Sequence, residues 1–342
     1  MNMQFHCKLP IPMEVKKQYP ASEQVLQIVD SYTQQIKDIL SGKDERLLLI
    51  IGPCSADNSE ALLQYCYKLK QVSDKVKSKI LIIPRVYTNK PRTKGTGYKG
   101  MLHQPDPSKE EDLFNGIVAI RKLHLDVVEQ IGFSSADEML YPENHRYIND
   151  IVSYITIGAR SCENQQHRMT ASGLNIATGI KNPTGGDLSA MINGVYASQN
   201  SQDFIYRGWA VSTTGNKYAH GILRGYQNKH GEAIGNYHYE DLLLVNQLYQ
   251  NANLANRAII VDCNHCNSNK HYLQQERIIK EVMMHKRDNK DIDKLVKGFM
   301  VESYLEDGSC TIDDYTFGKS ITDPCLGWSK SEELILKLAD LL

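Results

Sequence analysis

Residues that bind divalent metal ions stand at four widely separated points of the chain: Cys54, His265, Glu302 and Asp323. A thiolate, an imidazole and two carboxylates together suit a borderline divalent ion such as Mn²⁺, Fe²⁺, Co²⁺ or Zn²⁺. Their wide spacing differs from the paired ligands of a structural zinc finger. Singly, Cys54 is better explained as a small buried side chain and His265 as a core histidine. As a set, the four predict an enzyme with a metal site open to substrate.

A second group of candidate site residues is cationic. It consists of Arg85, Lys90, Arg92, Lys99, Arg160, Lys181 and Arg224. Guanidinium groups bind carboxylates and phosphates with two parallel hydrogen bonds, whereas lysine acts as a mobile point charge. A small molecule with several negative groups would therefore fit these cations. Nucleic acid is a poorer fit, because 39 Lys and Arg are balanced by 40 Asp and Glu and no series of aromatic residues accompanies the cations.

Both groups follow short apolar runs that alternate with amphipathic helical segments. The predicted strands are Leu47–Ile51, Ile80–Pro84, Phe133–Asp137, Tyr154–Gly158, Asn175–Ile180, a region from Asp203 to Leu223, Ala258–Asp262 and Gly298–Val301. Eight strands alternating with helices predict an α/β protein with a (β/α)8 TIM barrel. An open doubly wound sheet is the alternative, but the first strand lacks the Gly-x-Gly-x-x-Gly turn of that fold.

The helical segments show their own signals. Ser108 and Glu111 predict a capping box for a helix that ends at Gly132. Further helices are predicted over 240–253 and 272–284. We expect one domain over 1–342, with an N-terminal extension at 1–45 and the barrel at 46–342. In the extension, an amphipathic helix from Val25 to Ile39 stops at Gly42, and its apolar stripe either plugs the barrel or binds a second subunit.

Active sites of such barrels lie at the carboxyl ends of the strands. In chain order these ends supply Cys54, Arg85, Glu138, Arg160, Lys181, Arg224, His265 and Glu302. Each is charged or able to bind a metal, which is difficult to explain by solubility alone.

The chain contains no apolar run of 18 residues, and its first residues do not resemble an export signal. We therefore expect a soluble cytoplasmic protein that binds no membrane, whose eight cysteines are reduced thiols. Cys263 and Cys266 flank His265 as a Cys-x-x-Cys pair. Without a second pair or a thioredoxin-like context, they are expected to be packing residues.

Six segments carry a resemblance to a known family. They are Gly52-Pro53-Cys54-Ser55, Lys90-Pro91-Arg92-Thr93, Gly158-Ala159-Arg160-Ser161, Ile222-Leu223-Arg224-Gly225, Val301-Glu302-Ser303 and Gly318-Lys319-Ser320-Ile321-Thr322-Asp323. In order and spacing they resemble the type I 3-deoxy-D-arabino-heptulosonate 7-phosphate (DAHP) synthases, in the long subclass regulated by aromatic amino acids. The resemblance extends from about Leu9 to the C-terminus.

The resemblance implies condensation of phosphoenolpyruvate with erythrose 4-phosphate, the first step of the shikimate pathway, by a metal-dependent transferase. It implies a TIM barrel with an N-terminal extension and an extra hairpin near strand six, assembled as a homodimer or homotetramer. The implied metal ligands are Cys54, His265, Glu302 and Asp323, with Mn²⁺ expected and Fe²⁺, Co²⁺ or Zn²⁺ as alternatives. An aromatic amino acid effector is also implied, although Asn175 stands where serine is frequent in the family's effector pocket.

Substrate contacts are implied in the same way. Phosphoenolpyruvate is expected at Arg85, Lys90, Ala159, Arg160, Lys181 and Arg224, with Lys99 and Glu138 close by, and erythrose 4-phosphate at Pro91, Arg92 and Thr93. Lys90 is expected to protonate the aldehyde oxygen, with a pKa depressed by neighbouring cations, and Glu138 to orient the attacking water.

Several positions depart from the family pattern. Ala56-Asp57-Asn58 stands where Ile-His-Asp is common. The segment from Phe204 to Ser212 is short and lacks a cation that holds the acceptor phosphate, a role for which Arg207 is a substitute. These departures leave open a related synthase with another aldose phosphate acceptor, or a non-catalytic homologue.

Overall fold

The structure, a computed structural model, describes residues 1–342. Its strands are β1 (Leu47–Gly52), β2 (Ile80–Pro84), β3 (Ser135–Glu138), β4 (Val152–Ile157), β5 (Ala177–Lys181), β6 (Asp203–Tyr206), β7 (Trp209–Ser212), β8 (Ala219–Leu223), β9 (Tyr226–Gln227), β10 (Ala233–Ile234), β11 (Ile259–Asp262) and β12 (Val296–Glu302).

The α-helices are α1 (Pro12–Gln18), α2 (Glu23–Ser41), α3 (Ser59–Val76), α4 (Leu113–Asp126), α5 (Pro142–His145), α6 (Gln165–Ser172), α7 (Leu188–Gln199), α8 (Tyr239–Asn251), α9 (Gln275–Asp288), α10 (Lys290–Leu295) and α11 (Trp328–Asp340). A π-helical turn at Val127–Ile131 extends α4, and a 3₁₀ turn at Tyr272–Gln274 precedes α9.

Eight parallel strands form the barrel in the order β2-β1-β12-β11-β8-β5-β4-β3. The first and last members meet at a single bridge between Arg85 and Ala136, where the amide of Val86 donates to the carbonyl of Ala136 at 2.9 Å. The predicted (β/α)8 barrel is confirmed. Its strands are apolar on both faces because one face lines the barrel interior and the other packs under the helices.

Successive side chains of a strand point to opposite faces of the sheet, so the barrel has two hydrophobic clusters. Leu48 and Ile50 of β1 point into the barrel, whereas Leu49 and Ile51 belong to the larger cluster between strands and helices. The carboxyl ends of all eight strands therefore converge on one rim, and the residues just beyond those ends share that rim.

Helix α2 closes the other end of the barrel. The hydroxyl of Ser22 accepts from the amide of Val25, and Gly42 ends the helix with φ of 76°. Ile36, Ile39 and Leu40 are buried in the cluster that fills the barrel interior. The stripe was predicted either to plug the barrel or to bind a second subunit, and these three side chains plug the barrel.

The region predicted as strand six, Asp203 to Leu223, contains more than one strand. β6 and β7 pair as an antiparallel hairpin, and β8 alone joins the barrel. The hairpin turns through Arg207 and Gly208, with φ of 56° and 78°. Because the hairpin leads into the amino end of β8, it lies at the closed end of the barrel. Arg207 is therefore not a substitute cation for an acceptor phosphate at the open rim, and that prediction was wrong.

The predicted capping box before α4 was also wrong. Asp112, not Ser108, caps the helix by accepting from the amide of Asn115 at 3.0 Å. The hydroxyl of Ser108 is bound instead to Asp106, and Glu111 pairs with Lys99. Asp112 is the N-cap instead of Ser108 because it stands one residue before the first helical turn, where its carboxylate reaches the free amides.

All eight cysteines are free. No helix combines the length and the apolar character that crossing a bilayer requires.

Candidate active site

A cavity of about 360 Å³ opens at the carboxyl rim of the barrel. Its lining residues are Arg85, Lys90, Pro91, Arg92, Thr93, Glu138, Ala159, Arg160, Lys181, Thr184, Arg224, Gln227, His265, Cys266, Lys270 and Asp323. Cations outnumber carboxylates among them, so the electrostatic potential in the cavity is positive and favours binding of a multiply charged anion. A larger cavity of about 1000 Å³ lies at the closed end, but its mixed surface charges include none of the predicted site residues.

Three of the predicted metal ligands come together beside this cavity. The sulfur of Cys54 and carboxylate oxygens of Glu302 and Asp323 lie within 4.8 Å of one another. Cys54 follows β1 and Glu302 ends β12, and those two strands are paired in the barrel. Asp323 reaches the same point from the loop before α11, where its amide donates to the Cys54 sulfur at 3.4 Å.

His265 lies next to this group. Its Nε2 is 3.8 Å from Oε1 of Glu302, and its Nδ1 is 2.9 Å from Oδ2 of Asp262. A carboxylate beside Nδ1 favours the tautomer that leaves the Nε2 lone pair free for a metal ion. Burial lowers the pKa of His265, which favours the neutral, ligating form. His265 has φ of 53°, a strained conformation of the kind that clusters at functional sites.

Asp262 joins the metal side of the site to the cation side. The same oxygen, Oδ2, also lies 2.9 Å from Nζ of Lys181. The side chain is fully buried, and despite burial its pKa lies well below the usual value because His265 and Lys181 surround it. Asp262 was predicted only as a strand end, so its bridging position is an addition to the predicted site.

Glu302 is the more enclosed of the two carboxylates in the metal cluster, and its Oε1 has no hydrogen-bond partner. Arg85 Nη2 lies 3.0 Å from that atom, and Arg85 Nη1 donates to the carbonyl of Pro53 at 2.6 Å. A buried oxygen without a hydrogen bond is costly unless a cation faces it. The donor set and this free oxygen fit a divalent ion well.

Lys90 lies between the metal cluster and the cavity. Its Nζ is 2.5 Å from the sulfur of Cys54. Burial lowers the pKa of Lys90, but Cys54, Asp323 and Glu302 raise it by more, so the net shift is upward. The predicted depression of this pKa was wrong, because the closest neighbours of the ammonium are anionic groups rather than the other cations.

Glu138, at the end of β3, faces the cavity across Gly158. A Cβ at Gly158 would lie 2.1 Å from Oε1 of Glu138, so glycine is required for the carboxylate to hold this position. On the same side of the cavity, Nε of Arg160 donates to the hydroxyl of Thr93 at 2.7 Å, and Nε of Arg92 donates to the carbonyl of Tyr98 at 2.8 Å.

The structure does not place every predicted residue in the cavity wall. Lys99 pairs with Glu111 at 2.5 Å and is not part of the lining. Conversely, Thr184, Gln227, Cys266 and Lys270 line the cavity although none was predicted there. Cys266, predicted as a packing residue, is half-buried and lies in the cavity wall. Lys270 Nζ lies 2.9 Å from Asp323.

Asp57, in the segment that departs from the family pattern, makes a testable contribution to stability. It is 3% exposed, neither carboxylate oxygen has a hydrogen-bond partner, and burial raises its pKa to about 7. Because the folded-state pKa is above the unfolded-state value, ionisation destabilises the fold increasingly as pH rises from about 4 to about 7. We expect Asp57→Asn to raise the free energy of unfolding by roughly 2 kcal/mol at pH 8, and by less at pH 5.

Urea unfolding at the two pH values measures this effect, and Asp313→Asn at an exposed position is the matched control. An Asp57→Asn variant with the same pH dependence as the unmodified chain would contradict the assignment.

Comparisons with known proteins bear on this geometry. A profile of the DAHP synthetase I family matches residues 18–336. The chain is 36% identical over 339 residues to a phospho-2-dehydro-3-deoxyheptonate aldolase of Haemophilus influenzae, covering 96% of this chain and 90% of that protein. It is 34% identical to the Tyr-sensitive aldolase of Escherichia coli K12, covering 96% of this chain and 92% of that protein.

A Trp-sensitive aldolase of Escherichia coli K12 is 33% identical over 97% of this chain and 94% of its own length. The solved structure of the corresponding aldolase from Francisella tularensis SCHU S4 superposes with a TM-score of 0.92 at 28% identity, covering 99% of this chain and 98% of that one. Sequence and fold are thus shared over nearly the whole length.

Proposed function

Because this chain belongs to the DAHP synthetase I family, we propose that its barrel rim holds one divalent metal ion beside a site for two anionic substrates. The chain condenses phosphoenolpyruvate with erythrose 4-phosphate in the first step of aromatic biosynthesis. The proposed metal ligands are Cys54, His265, Glu302 and Asp323. One observation carries the proposal: a cavity rich in cations lies directly against a cluster of a thiol and two carboxylates.

Phosphoenolpyruvate is proposed to occupy the side of the cavity lined by cations from β2, β4, β5 and β8. These are Arg85, Lys90, Arg160, Lys181 and Arg224, with Ala159 beside them. Nε of Arg85 is buried and has no hydrogen-bond partner, so this N–H is available to a carboxylate or phosphate. Fixing both charged groups of the substrate leaves its C3 directed at the neighbouring aldehyde.

Erythrose 4-phosphate is proposed to lie against Pro91, Arg92 and Thr93, with its phosphate on Arg92. When bound, the divalent ion supplies a Lewis acid for the aldehyde oxygen. The electron pair of the C2–C3 double bond of phosphoenolpyruvate forms the bond from C3 to the aldehyde carbon, which leaves C2 electron-deficient. The aldehyde oxygen gains the electron pair of its C=O π bond, and the ammonium of Lys90 stabilises that oxygen and transfers a proton to it. Water held by Glu138 adds to C2 and gives its proton to that carboxylate. In the resulting hemiketal phosphate the bond from C2 to the phosphate oxygen breaks, the hydroxyl proton leaves with inorganic phosphate, and C2 becomes the ketone carbon.

Mn²⁺ is the proposed resident ion, with Fe²⁺, Co²⁺ or Zn²⁺ able to replace it, since sulfur, nitrogen and oxygen donors tolerate all four. The test is an assay of phosphate release and loss of enol absorbance. We expect activity with phosphoenolpyruvate and erythrose 4-phosphate to disappear on chelation and to return with Mn²⁺. Full turnover in excess chelator would refute the metal assignment, and turnover with a different aldose phosphate alone would refute the acceptor.

A homodimer or homotetramer is proposed from exposed apolar side chains. Phe5 in the N-terminal extension is 84% exposed, and Ile205 and Trp209 on the β6–β7 hairpin are 82% and 74% exposed. Large apolar side chains at such exposure are typical of interfaces. We propose that residues 1–342 form a single domain and that the extension at 1–45 is exchanged between subunits. Sedimentation velocity tests the assembly, which a monomeric chain would rule out.

An aromatic amino acid effector is proposed because relatives are named Tyr-sensitive and Trp-sensitive. The extension also contacts the closed end of the barrel. There Nζ of Lys37, on α2, donates to Oδ1 of Asn175 at 3.0 Å, next to the start of β5. A ligand bound at that junction would alter the packing of α2 against strands whose other ends form the active site.

A further inference from the structure

A buried carboxylate lies just behind the active site, outside the cavity wall. Asp137, the penultimate residue of β3, is fully buried on the outer face of the barrel. Its Oδ1 accepts from the amides of Thr88 at 2.8 Å and Glu138 at 2.7 Å. Its Oδ2 accepts from the hydroxyl of Thr88 at 2.5 Å and lies 3.2 Å from Nε2 of His124 on α4. Four donors therefore converge on one side chain.

These bonds span the weakest backbone junction of the barrel. Each other neighbouring pair of barrel strands shares a parallel ladder of at least three residue pairs, whereas β2 and β3 meet only at the Arg85–Ala136 bridge. No other backbone pairing fixes the register between these two strands. The Asp137 carboxylate adds a second connection at this junction, because from β3 it binds the amide and the hydroxyl of Thr88, four residues beyond the end of β2.

The two groups that Asp137 joins both lead directly into the active site. Thr88 stands two residues before Lys90, at the start of the segment Lys90–Thr93 that lines the cavity. Nδ2 of Asn89 donates to the Thr88 hydroxyl at 3.1 Å and to the carbonyl of Glu138 at 3.4 Å, which extends the same connection. The position of this segment relative to the Glu138 carboxylate thus depends on a side chain that touches neither substrate.

His124 fixes the carboxylate from the other side. Its Nδ1 lies 2.8 Å from the hydroxyl of Ser135, and its Nε2 faces Asp137, so both ring nitrogens are engaged between α4 and β3. A buried polar contact of this kind between an imidazole and a carboxylate is weak support for stability, because an apolar packing of similar volume is often as stable. Buried polar groups are better attested as devices that fix one geometry.

We propose that Asp137, held by His124, is a positioning residue that sets the acceptor segment Pro91–Thr93 against Glu138. The inference rests on the proposed function for the identity of the acceptor site, but the connection itself is a feature of the fold. Loss of the carboxylate lets the segment move relative to Glu138, which weakens binding of erythrose 4-phosphate more than binding of phosphoenolpyruvate, since Arg85, Lys181 and Arg224 are held elsewhere.

Steady-state kinetics of Asp137→Asn test this. The amide keeps the volume and one acceptor but cannot accept from both the Thr88 hydroxyl and His124. We expect KM for erythrose 4-phosphate to rise about tenfold and kcat to fall about tenfold, with KM for phosphoenolpyruvate within about threefold. Thr88→Val, which removes only the hydroxyl donor, should show smaller changes in the same direction. Thr88→Ser, which keeps the hydroxyl, should have the kinetics of the unmodified chain. Ser134→Ala, which removes a buried hydroxyl bound to Ser153 on β4 and leaves both His124 and the β2–β3 connection intact, is the matched control.

Hydrogen–deuterium exchange of the peptide containing residues 88–93 gives a second readout that needs no turnover. We expect faster exchange in Asp137→Asn and Thr88→Val than in the unmodified chain and Ser134→Ala. Unchanged exchange there, or a loss of thermal stability with both KM values unchanged, overturns the positioning role. An unmodified chain inactive with erythrose 4-phosphate would instead count against the proposed function, and exchange alone would then decide the inference.

Discussion

Replacing Cys54 by serine is expected to lower kcat by at least about a thousandfold, equivalent to about 4 kcal/mol in the transition state. The residue supplies the only sulfur in the ligand cluster, and an alcohol remains protonated where a thiol coordinated to a divalent ion loses its proton. Burial raises the pKa of the Cys54 thiol even though the Lys90 ammonium lies beside the sulfur, so a divalent ion is needed in addition to hold the thiolate. Metal content per chain after dialysis, together with phosphate release, measures the outcome.

Cys66→Ala provides the matched control for loss of a buried thiol. Cys66 packs in the core on α3 and has no contact with the cavity. This control should lose some stability but retain activity within about twofold. A Cys54→Ser variant that binds one equivalent of metal and turns over normally would show that the ion, if required, is held by other residues.

The positions of the site residues along the strands could be predicted from the sequence because topology alone fixes them. Once eight parallel strands close a barrel, whatever follows each carboxyl end must reach one rim. Arg85, Lys181 and Arg224 stand within one residue of the ends of β2, β5 and β8, and all three line the cavity. Their convergence needed no knowledge of side-chain contacts.

Contacts between side chains of different strands could not be predicted in this way. Asp262 was identified only as the end of β11, yet its Oδ2 lies 2.9 Å from both Lys181 and His265. His265 stands only three residues after Asp262, but the contact with Lys181 joins β11 to β5, and no spacing along the chain encodes that distance. The pKa of Lys90 was predicted with the wrong sign for the same reason, because the sequence shows how many cations share the rim but not which anions touch the ammonium.

Loops were the least predictable part of the site. Lys270 lines the cavity because the segment after β11 folds back through residues with positive φ, including Asn269 at 51° and Lys270 itself at 59°. Neither residue is glycine, and Asn269 alone is only a weak sequence signal for positive φ. The hairpin before β8 shows the opposite error, since Arg207 was placed at the rim although its loop lies at the closed end.

Replacing Lys90 is expected to separate two contributions of one ammonium group. Lys90→Met removes both the charge and the transferable proton, and we expect kcat to fall about a thousandfold with KM for phosphoenolpyruvate raised about tenfold. The Nζ atom is 2.5 Å from the Cys54 sulfur and faces the cavity, so no other lysine occupies an equivalent position.

Lys90→Arg retains the charge but donates no proton at ordinary pH. If proton transfer to the aldehyde oxygen is the larger contribution, this variant should recover most of the phosphoenolpyruvate affinity while kcat remains about a hundredfold low. If the charge alone matters, kcat should recover with KM. The upward shift in the pKa of Lys90 makes this comparison informative, because the group is charged throughout the neutral range and both variants are compared with a fully protonated lysine. Normal turnover in Lys90→Met would exclude both charge stabilisation and proton donation by Lys90. Another group at the rim would then have to protonate the aldehyde oxygen.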